Sequence, residues 1–387
     1  MKTKYQQPPW LAMTVLAAAF VTATTVAAAP PNPTFDWTTV VNNNDLMPGA
    51  PNERTFNSYN QPSVNLNGLV VIRARSKGGG GGGGHGPIHG IYTRNMGVDG
   101  SSIVRILDRT VEVPQPNNAH YPPTNESLTT FIETPSFPRI DMESDTLATR
   151  GNHQPVWIYT PPGSDETRAG TTGIYTNPFG PLITGAAKLG AVPAFSFFEV
   201  PELPGTTFEV FPGSPSVTEG DTIVFKGNYT DPSDDSARTG VYYRELIDDP
   251  INGGPGGGAL PVVLIANNTE TVIPGTDEVF GSTAPPSAAG QRVVFAGFDD
   301  EDNPTLGGIY LATPLMASPP LTELVSIGQR VPGESKNDTF NGLGEGGAFD
   351  GRHVGFWGAW GGTRTVRLYC PTEGNRHRIA YCNRNLV

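Results

Sequence analysis

Gly-hydrophobic-Tyr occurs four times in this chain, as Gly90-Ile91-Tyr92, Gly173-Ile174-Tyr175, Gly240-Val241-Tyr242 and Gly308-Ile309-Tyr310, with a degenerate fifth copy at Arg367-Leu368-Tyr369. Each copy closes an ordered series of markers. A β-rich run precedes it: LVVIRAR, PVWIYT, TIVFKGNY, RVVFAGF and HVGFWGAW. Farther upstream stands a hydrophobic residue followed by proline, at Met47-Pro48, Val113-Pro114, Val192-Pro193, Ile273-Pro274 and Val331-Pro332. Between them lies a phenylalanine: Thr55-Phe56, Thr130-Phe131, Thr207-Phe208, Val279-Phe280 and Thr339-Phe340. Then comes Pro62, Pro138, Pro215, Pro285 or Gly346, and after it a turn residue, Gly68, Asp145, Gly220, Gly290 or Gly351. The order holds five times, at spacings of roughly 58 to 83 residues.

A fixed internal period is the mark of repeat folds. The units run approximately over 35–92, 103–175, 181–242, 260–310 and 321–387. Short Val/Ile/Phe/Tyr/Trp runs between Gly, Pro, Asn and Asp clusters read as strands. No stretch after the first 29 residues keeps a 3.6-residue period. The expectation is an all-β chain, a β-propeller of five blades with about four antiparallel strands each. One twisted sheet leaves both faces uncovered, and radial packing covers them. The repeated Phe should pack between blades, and the repeated Tyr should do likewise with its hydroxyl at a blade edge or in water. FDWTTVVNNNDLMPG at the start looks like the third strand and turn of a unit, so the N- and C-terminal segments should close the ring together. A β-solenoid, or two smaller all-β domains split near Pro178–Gly190, also fits the pattern.

The marker series resembles the tandem repeat named for its NxxGxxAF core. The nearest core is Asn65-Leu66-Asn67-Gly68-Leu69-Val70-Val71, followed by Thr218-Glu219-Gly220-Asp221-Thr222-Ile223-Val224-Phe225 and Ala289-Gly290-Gln291-Arg292-Val293-Val294-Phe295. The resemblance spans nearly all of residues 35–370. It implies an exported bacterial protein of propeller-like repeats and brings no catalytic residues with it.

The first 29 residues agree with export. Lys2 and Lys4 precede an uncharged, Ala-rich run from Leu11 to Ala29, ending in Val26-Ala27-Ala28-Ala29, which is the layout of a secretory signal peptide. A membrane anchor is the competing reading of that run. No later segment reaches a membrane-spanning length, so residues 30–387 should be one domain, secreted or periplasmic. The net charge is −12, and loss of Lys2 and Lys4 would take it to −14, with 23 basic residues against 37 acidic. Such a balance disfavours nucleic acid and anionic membrane as partners. It favours cations, an extracellular glycan or a protein ligand. Cys370 and Cys382 flank PTEGNRHRIAY, which can fold back as a hairpin, and an exported chain with two cysteines suggests a disulfide between them.

Few residues point to chemistry. Asp231, Asp234 and Asp235 crowd one hairpin between a β-rich run and its Gly-hydrophobic-Tyr strand, and Asp299, Asp300, Glu301 and Asp302 crowd another. Such carboxylates suit Ca²⁺, although neither loop has EF-hand spacing, and a solvated hairpin tip explains them equally. His85 and His89 sit four apart beside the run Gly78–Gly84, which excludes a helical metal pair and suggests an exposed loop. Trp357 and Trp360 could stack on sugars or pack between blades. There is no Gly-x-Ser-x-Gly elbow. Asp36, Asp141, Glu219 and Asp350, near strand starts, are the candidate acids if the chain is a glycoside hydrolase or lyase working at a propeller axis. The first expectation is a binding or surface-interaction protein, the second that enzyme, the third a structural envelope component.

Overall fold

The computed structural model describes residues 36–50, 53–78, 86–117, 129–154, 157–159, 167–169, 171–248 and 258–362. The chain divides into two compact units, Met1–Thr39 and Val40–Val387, and every strand belongs to the second. Among the described residues there is no α-helix, and a 3₁₀ segment spans Pro193–Phe198. No helix among them is long and apolar enough to cross a membrane.

The first sheet contains β1 (Phe56–Tyr59), β2 (Ser63–Val64), β3 (Leu69–Ser76), β4 (His89–Asn95) and β5 (Val104–Asp108), ordered β1-β3-β4-β5. The second contains β6 (Phe131–Glu133), β7 (Arg139–Ile140) and β8 (Leu147–His153). A separate pair, β9 (Trp157–Tyr159) and β10 (Thr167–Ala169), precedes its last strands, β11 (Thr172–Thr176) and β12 (Ile183–Ala187). The third is β13 (Ser216–Thr218), β14 (Thr222–Thr230), β15 (Ala237–Glu245) and β16 (Val263–Asn267). The fourth is β17 (Ser282–Thr283), β18 (Ser287–Ala288), β19 (Val293–Phe298), β20 (Gly307–Ala312) and β21 (Leu321–Ser326). The fifth, among the described residues, pairs β22 (Phe340–Phe349) with β23 (Val354–Trp360). All pairings are antiparallel.

Proline explains the split first strand. Pro62 lies between β1 and β2, Pro138 between β6 and β7, and Pro285-Pro286 between β17 and β18. Without an N–H, proline cannot extend a ladder, so the strand breaks there. The second halves then lie against one another: β2 beside β7, β7 beside β13, β13 beside β18, and β18 beside β22. The β-rich run, expected to be innermost, is therefore the second strand of the first, third, fourth and fifth sheets, whereas in the second sheet Leu147–His153 takes that place and the run PVWIYT instead supplies β9 of the separate pair.

The Gly-hydrophobic-Tyr strand is a packing device. In the first four sheets its pairing with the next strand slips between the hydrophobic residue and the tyrosine, at Ile91/Tyr92, Ile174/Tyr175, Val241/Tyr242 and Ile309/Tyr310. Glycine and tyrosine, two apart, share a face. A Cβ on Gly90 would sit 2.8 Å from the Tyr92 hydroxyl, and one on Gly240 2.6 Å from that of Tyr242. The tyrosine thus folds back over its own glycine instead of reaching water or an edge. Burial lifts the Tyr92 and Tyr310 phenols above their ordinary range, aided by Asp108 and Glu323 respectively.

The marker phenylalanine completes the core. Phe56–Tyr92, Phe131–Tyr175, Phe208–Tyr242 and Phe280–Tyr310 meet edge to face at centroid distances of 5.0, 4.7, 4.9 and 5.3 Å. Each such pair contributes about 0.5–1.5 kcal/mol beyond its buried area. The Phe131, Phe208, Phe280 and Phe340 rings lie so close to Gly151, Gly227, Gly297 and Gly358 that an added Cβ would come within 2.5–2.7 Å.

Before each phenylalanine the hydrophobic-Pro turn closes with a backbone bridge: Leu46 to Thr55, Glu112 to Thr130, Glu199 to Thr207, Val272 to Val279 and Arg330 to Thr339. The third turn is thus Val200-Pro201. Val192-Pro193, expected there, instead leads into the 3₁₀ segment. The two look alike in sequence, and only the Glu199–Thr207 pairing separates them.

Candidate functional site

The turns that follow the short strands meet around one open cavity of about 610 Å³. Leu66 comes from the first sheet, Asp141–Ser144 from the second, Glu219 and Gly220 from the third, Ala289, Gly290 and Arg292 from the fourth, and Asp350–His353 from the fifth. Four turns need a left-handed residue, and Gly68, Gly220, Gly290 and Gly351 supply it at φ of +79°, +79°, +51° and +87°. A second cavity of about 320 Å³ shares Met142, Asp350 and His353 with the first and is lined by the short strands themselves.

Serines tie that wall together. Ser63 Oγ accepts the Ile140 amide N–H at 3.3 Å, Ser216 Oγ that of Ala288 at 3.0 Å, and Ser287 Oγ that of Phe349 at 3.0 Å. These bonds join the first sheet to the second, the third to the fourth and the fourth to the fifth. In the second sheet Arg139 occupies the serine's place, facing the smaller cavity, and burial lowers its guanidinium pKa.

Three of the four candidate acids reach the larger cavity: Asp141, Glu219 and Asp350. Asp36 belongs to the other compact unit. Asp141 is buried, and its Oδ1 accepts the amides of Glu143 and Ser144 at 2.8 and 3.4 Å. Its Oδ2 accepts that of Gly220, in the third sheet, at 2.6 Å. Asp350 accepts the amides of His353 and Arg352 at 2.6 and 2.8 Å and lies 3.1 Å from His353 Nδ1. Those contacts, the His353 amide foremost, hold its carboxyl far below the usual range. Glu219 stands exposed at φ +56°.

Arg292, Arg352 and His353 add the basic side chains. The Arg292 guanidinium lies over the Phe349 ring, 5.6 Å from its centroid, reaching from the fourth sheet to the fifth. Arg292 Nη2 and Glu219 Oε1 each come within 3.9 Å of the point where a Cβ on Gly290 would stand. The sequence reading did not single out these arginines, although Gly290-Gln291-Arg292 and Gly351-Arg352 place them beside the turn glycines.

The acidic hairpins lie elsewhere. β14 separates the Glu219-Gly220 turn from Asp231–Asp235 by nine residues, a rise of roughly 30 Å. Asp231 accepts the Ser233 amide and hydroxyl at 2.9 and 2.6 Å, contacts that lower its pKa together with Arg238. Asp234 pairs with Arg238 at 2.6 Å and accepts the Ser236 amide, while Asp235 takes φ +57° in the same turn. Asp299 accepts from the Thr305 amide and hydroxyl and the Leu306 amide at 2.8, 2.5 and 2.9 Å. Burial works against its ionisation, but these donors outweigh it and hold the pKa below normal. Asp300 accepts the amides of Asp302 and Asn303, and Glu301 and Asp302 point into solvent. Among the described residues no three His, Cys, Asp or Glu side chains are grouped to hold a metal ion.

Trp357 and Trp360 are 63% and 46% exposed and line neither cavity. Three apart on β23, they face opposite ways. Trp360 packs edge-on with Phe340 at 6.3 Å, and Trp357 lies over Gly344. They cannot form one stacking platform. His89 lies on β4, half-buried, and not in an exposed loop. His85, Cys370 and Cys382 fall outside the described residues. Compared with known proteins, the chain matches no family model and no curated protein.

Proposed function

We propose that the chain is an exported β-propeller of five tandem repeats, closed around these cavities, and that it is a binding module whose ligand seat is the larger one. The observation that carries this is the lining: turns at the same place in five successive sheets, one after another along the chain, all border a single cavity. The contacts of β2, β7, β13, β18 and β22 and the serine bonds between them support a common axis. The leader over residues 1–29 and the acidic balance support an extracellular glycan or protein as ligand.

Binding is favoured over hydrolysis by how the acids are held. Glycoside hydrolysis needs one carboxyl kept protonated beside a second that is free to act as base or nucleophile. Asp141 is saturated by three amides, and Asp350 is held ionised by two amides and His353. The rest of the charged lining is Glu219, Arg292, Arg352 and His353, a mixed-charge rim suited to orienting polar groups. The test is a glycan and protein-ligand array probed with the chain and its Glu219→Ala and Arg352→Ala variants, with product release monitored in parallel. The expected result is a ligand held without turnover and lost in both variants. Glycan cleavage abolished by Glu219→Gln would overturn the binding reading in favour of the enzyme.

A further inference from the structure

The first sheet carries a third cavity, of about 360 Å³, away from the five turns, lined by Ser58, Asn60, Arg73, Arg75 and His89 among others. Its construction follows from strand register. Arg73 and Arg75, two apart on β3, share a face. Arg75 pairs across the ladder with Ser58 on one side and His89 on the other, so these three side chains form a row. Asn60 joins Arg73 in the next row, its amide donating to the Arg73 carbonyl at 3.0 Å.

Both guanidinium groups are anchored at Nε. Arg73 Nε donates to the Thr134 carbonyl in the second sheet, and its Nη1 to Asn60 Oδ1 at 3.1 Å. Arg75 Nε donates to Ser58 Oγ at 2.7 Å. A guanidinium has five N–H groups, so among the described residues three on Arg73 and four on Arg75 are left for a ligand. Neither arginine makes an ion pair among the described residues, in a chain whose acids outnumber its bases. Glu133 of the second sheet is the acid whose charge reaches Arg73 and His89. Burial first, and then Arg73 and Arg75, lowers the His89 pKa, as a positive field would.

This combination is absent from the corresponding places in the next three sheets. The pair Arg75–His89 becomes Asn152–Thr172, Asn228–Thr239 and Phe298–Gly307 in register. At the Arg73 place stand Arg150 in the second sheet, whose Nη1 donates to the Phe211 carbonyl at 2.9 Å, Lys226 in the third and Ala296 in the fourth, so a cation at this one place does recur. A second arginine and a histidine beside it do not.

We propose that this cleft binds an oxyanion, the carboxylate, sulfate or phosphate group of a ligand, between the terminal nitrogens of Arg73 and Arg75. Two forks pinned at Nε lose little freedom on binding and present parallel donors to such a group. His89, neutral at pH 7, adds one N–H at the same edge.

The experiment is calorimetric titration of the full chain with inorganic phosphate, sulfate and glucuronate at constant chloride. At least one should bind saturably. Arg75→Gln should weaken that binding about tenfold or more, since hydrogen bonds to charged groups contribute about 1.5–3 kcal/mol. The double variant Arg75→Asn/His89→Thr, which installs the pair found in the second sheet, should fold and lose binding altogether. A preference for glucuronate would assign the site to acidic sugars, and a preference for sulfate or phosphate to their esters. Absence of binding by all three anions, or equal binding by the double variant, would overturn the proposal.

Discussion

Asp141 and Asp299 perform the same act in two places. Each carboxylate accepts three hydrogen bonds, mostly from backbone amides. Asp299 takes all of them from its own hairpin, within seven residues. Asp141 takes two from its own turn and the third from Gly220, 79 residues away in the next sheet. The local set only shapes a loop, whereas the split set joins two sheets where the cavity forms. Identical chemistry therefore has structural reach in one position and little in the other, and burial amplifies the contrast.

The largest expected effect comes from removing the bridging carboxylate. Asp141→Ala leaves the Glu143, Ser144 and Gly220 amides without their acceptor in a buried setting, at a cost of about 3 kcal/mol in urea unfolding. Asp141→Asn sharpens the comparison. Its remaining oxygen can serve the turn while its NH₂ faces the Gly220 N–H, so it should lose a large part of that stability. If Asp141→Ala unfolds like the parent, the bond between sheets has no structural weight.

Asp350 is intermediate. Its donors are local, as for Asp299, but its turn borders the cavity. Asp350→Ala should lower the melting temperature less than Asp141→Ala while weakening whatever ligand the array identifies. The acid limb reads the same groups. Asp350, Asp299 and Asp231 all have folded pKa values below the usual 3.8, so their stabilising contributions are complete above that value. The contributions disappear as pH falls through the depressed values. Melting temperatures should be flat with respect to these three between pH 7 and 5 and fall below about pH 4. A variant carrying Asn at 231, 299 and 350 should show a shallower fall there.

This contrast also separates what could be read from the sequence and what could not. The turn glycines Gly68, Gly220, Gly290 and Gly351 were visible because a left-handed backbone admits few other residues, and those turns line the cavity. The Phe and Tyr positions were visible because the same edge-to-face contact is built in each of four sheets. Asp141, Glu219 and Asp350 stood near strand starts and so could be gathered by position alone. Their hydrogen bonds could not, because the Asp141–Gly220 bond depends on how two sheets abut. The grouping of Arg73 and Arg75 with His89 was hidden for the same reason: β3 and β4 must be in register before Arg75 meets His89. Val192-Pro193 misled because a hydrophobic-Pro pair marks a turn without saying which strand returns to it.

The smallest effects belong to the hairpin tips. Asp299→Asn exchanges an acceptor for an amide facing the Thr305 hydroxyl on an exposed loop, and loss of such a cap costs up to about 1 kcal/mol. The same geometry bears on calcium. Asp299 already has a donor on each oxygen, Asp300 caps two amides, and Asp231 and Asp234 face Arg238. A Ca²⁺ ion with its six to eight oxygens would have to displace several of these partners and approach a guanidinium at the first hairpin. Melting of the chain in millimolar CaCl₂ and in EDTA should therefore coincide. A rise with calcium that Asp299→Asn abolishes would show that the tips rearrange around a metal, and the local carboxylate would then have the wider reach denied to it here.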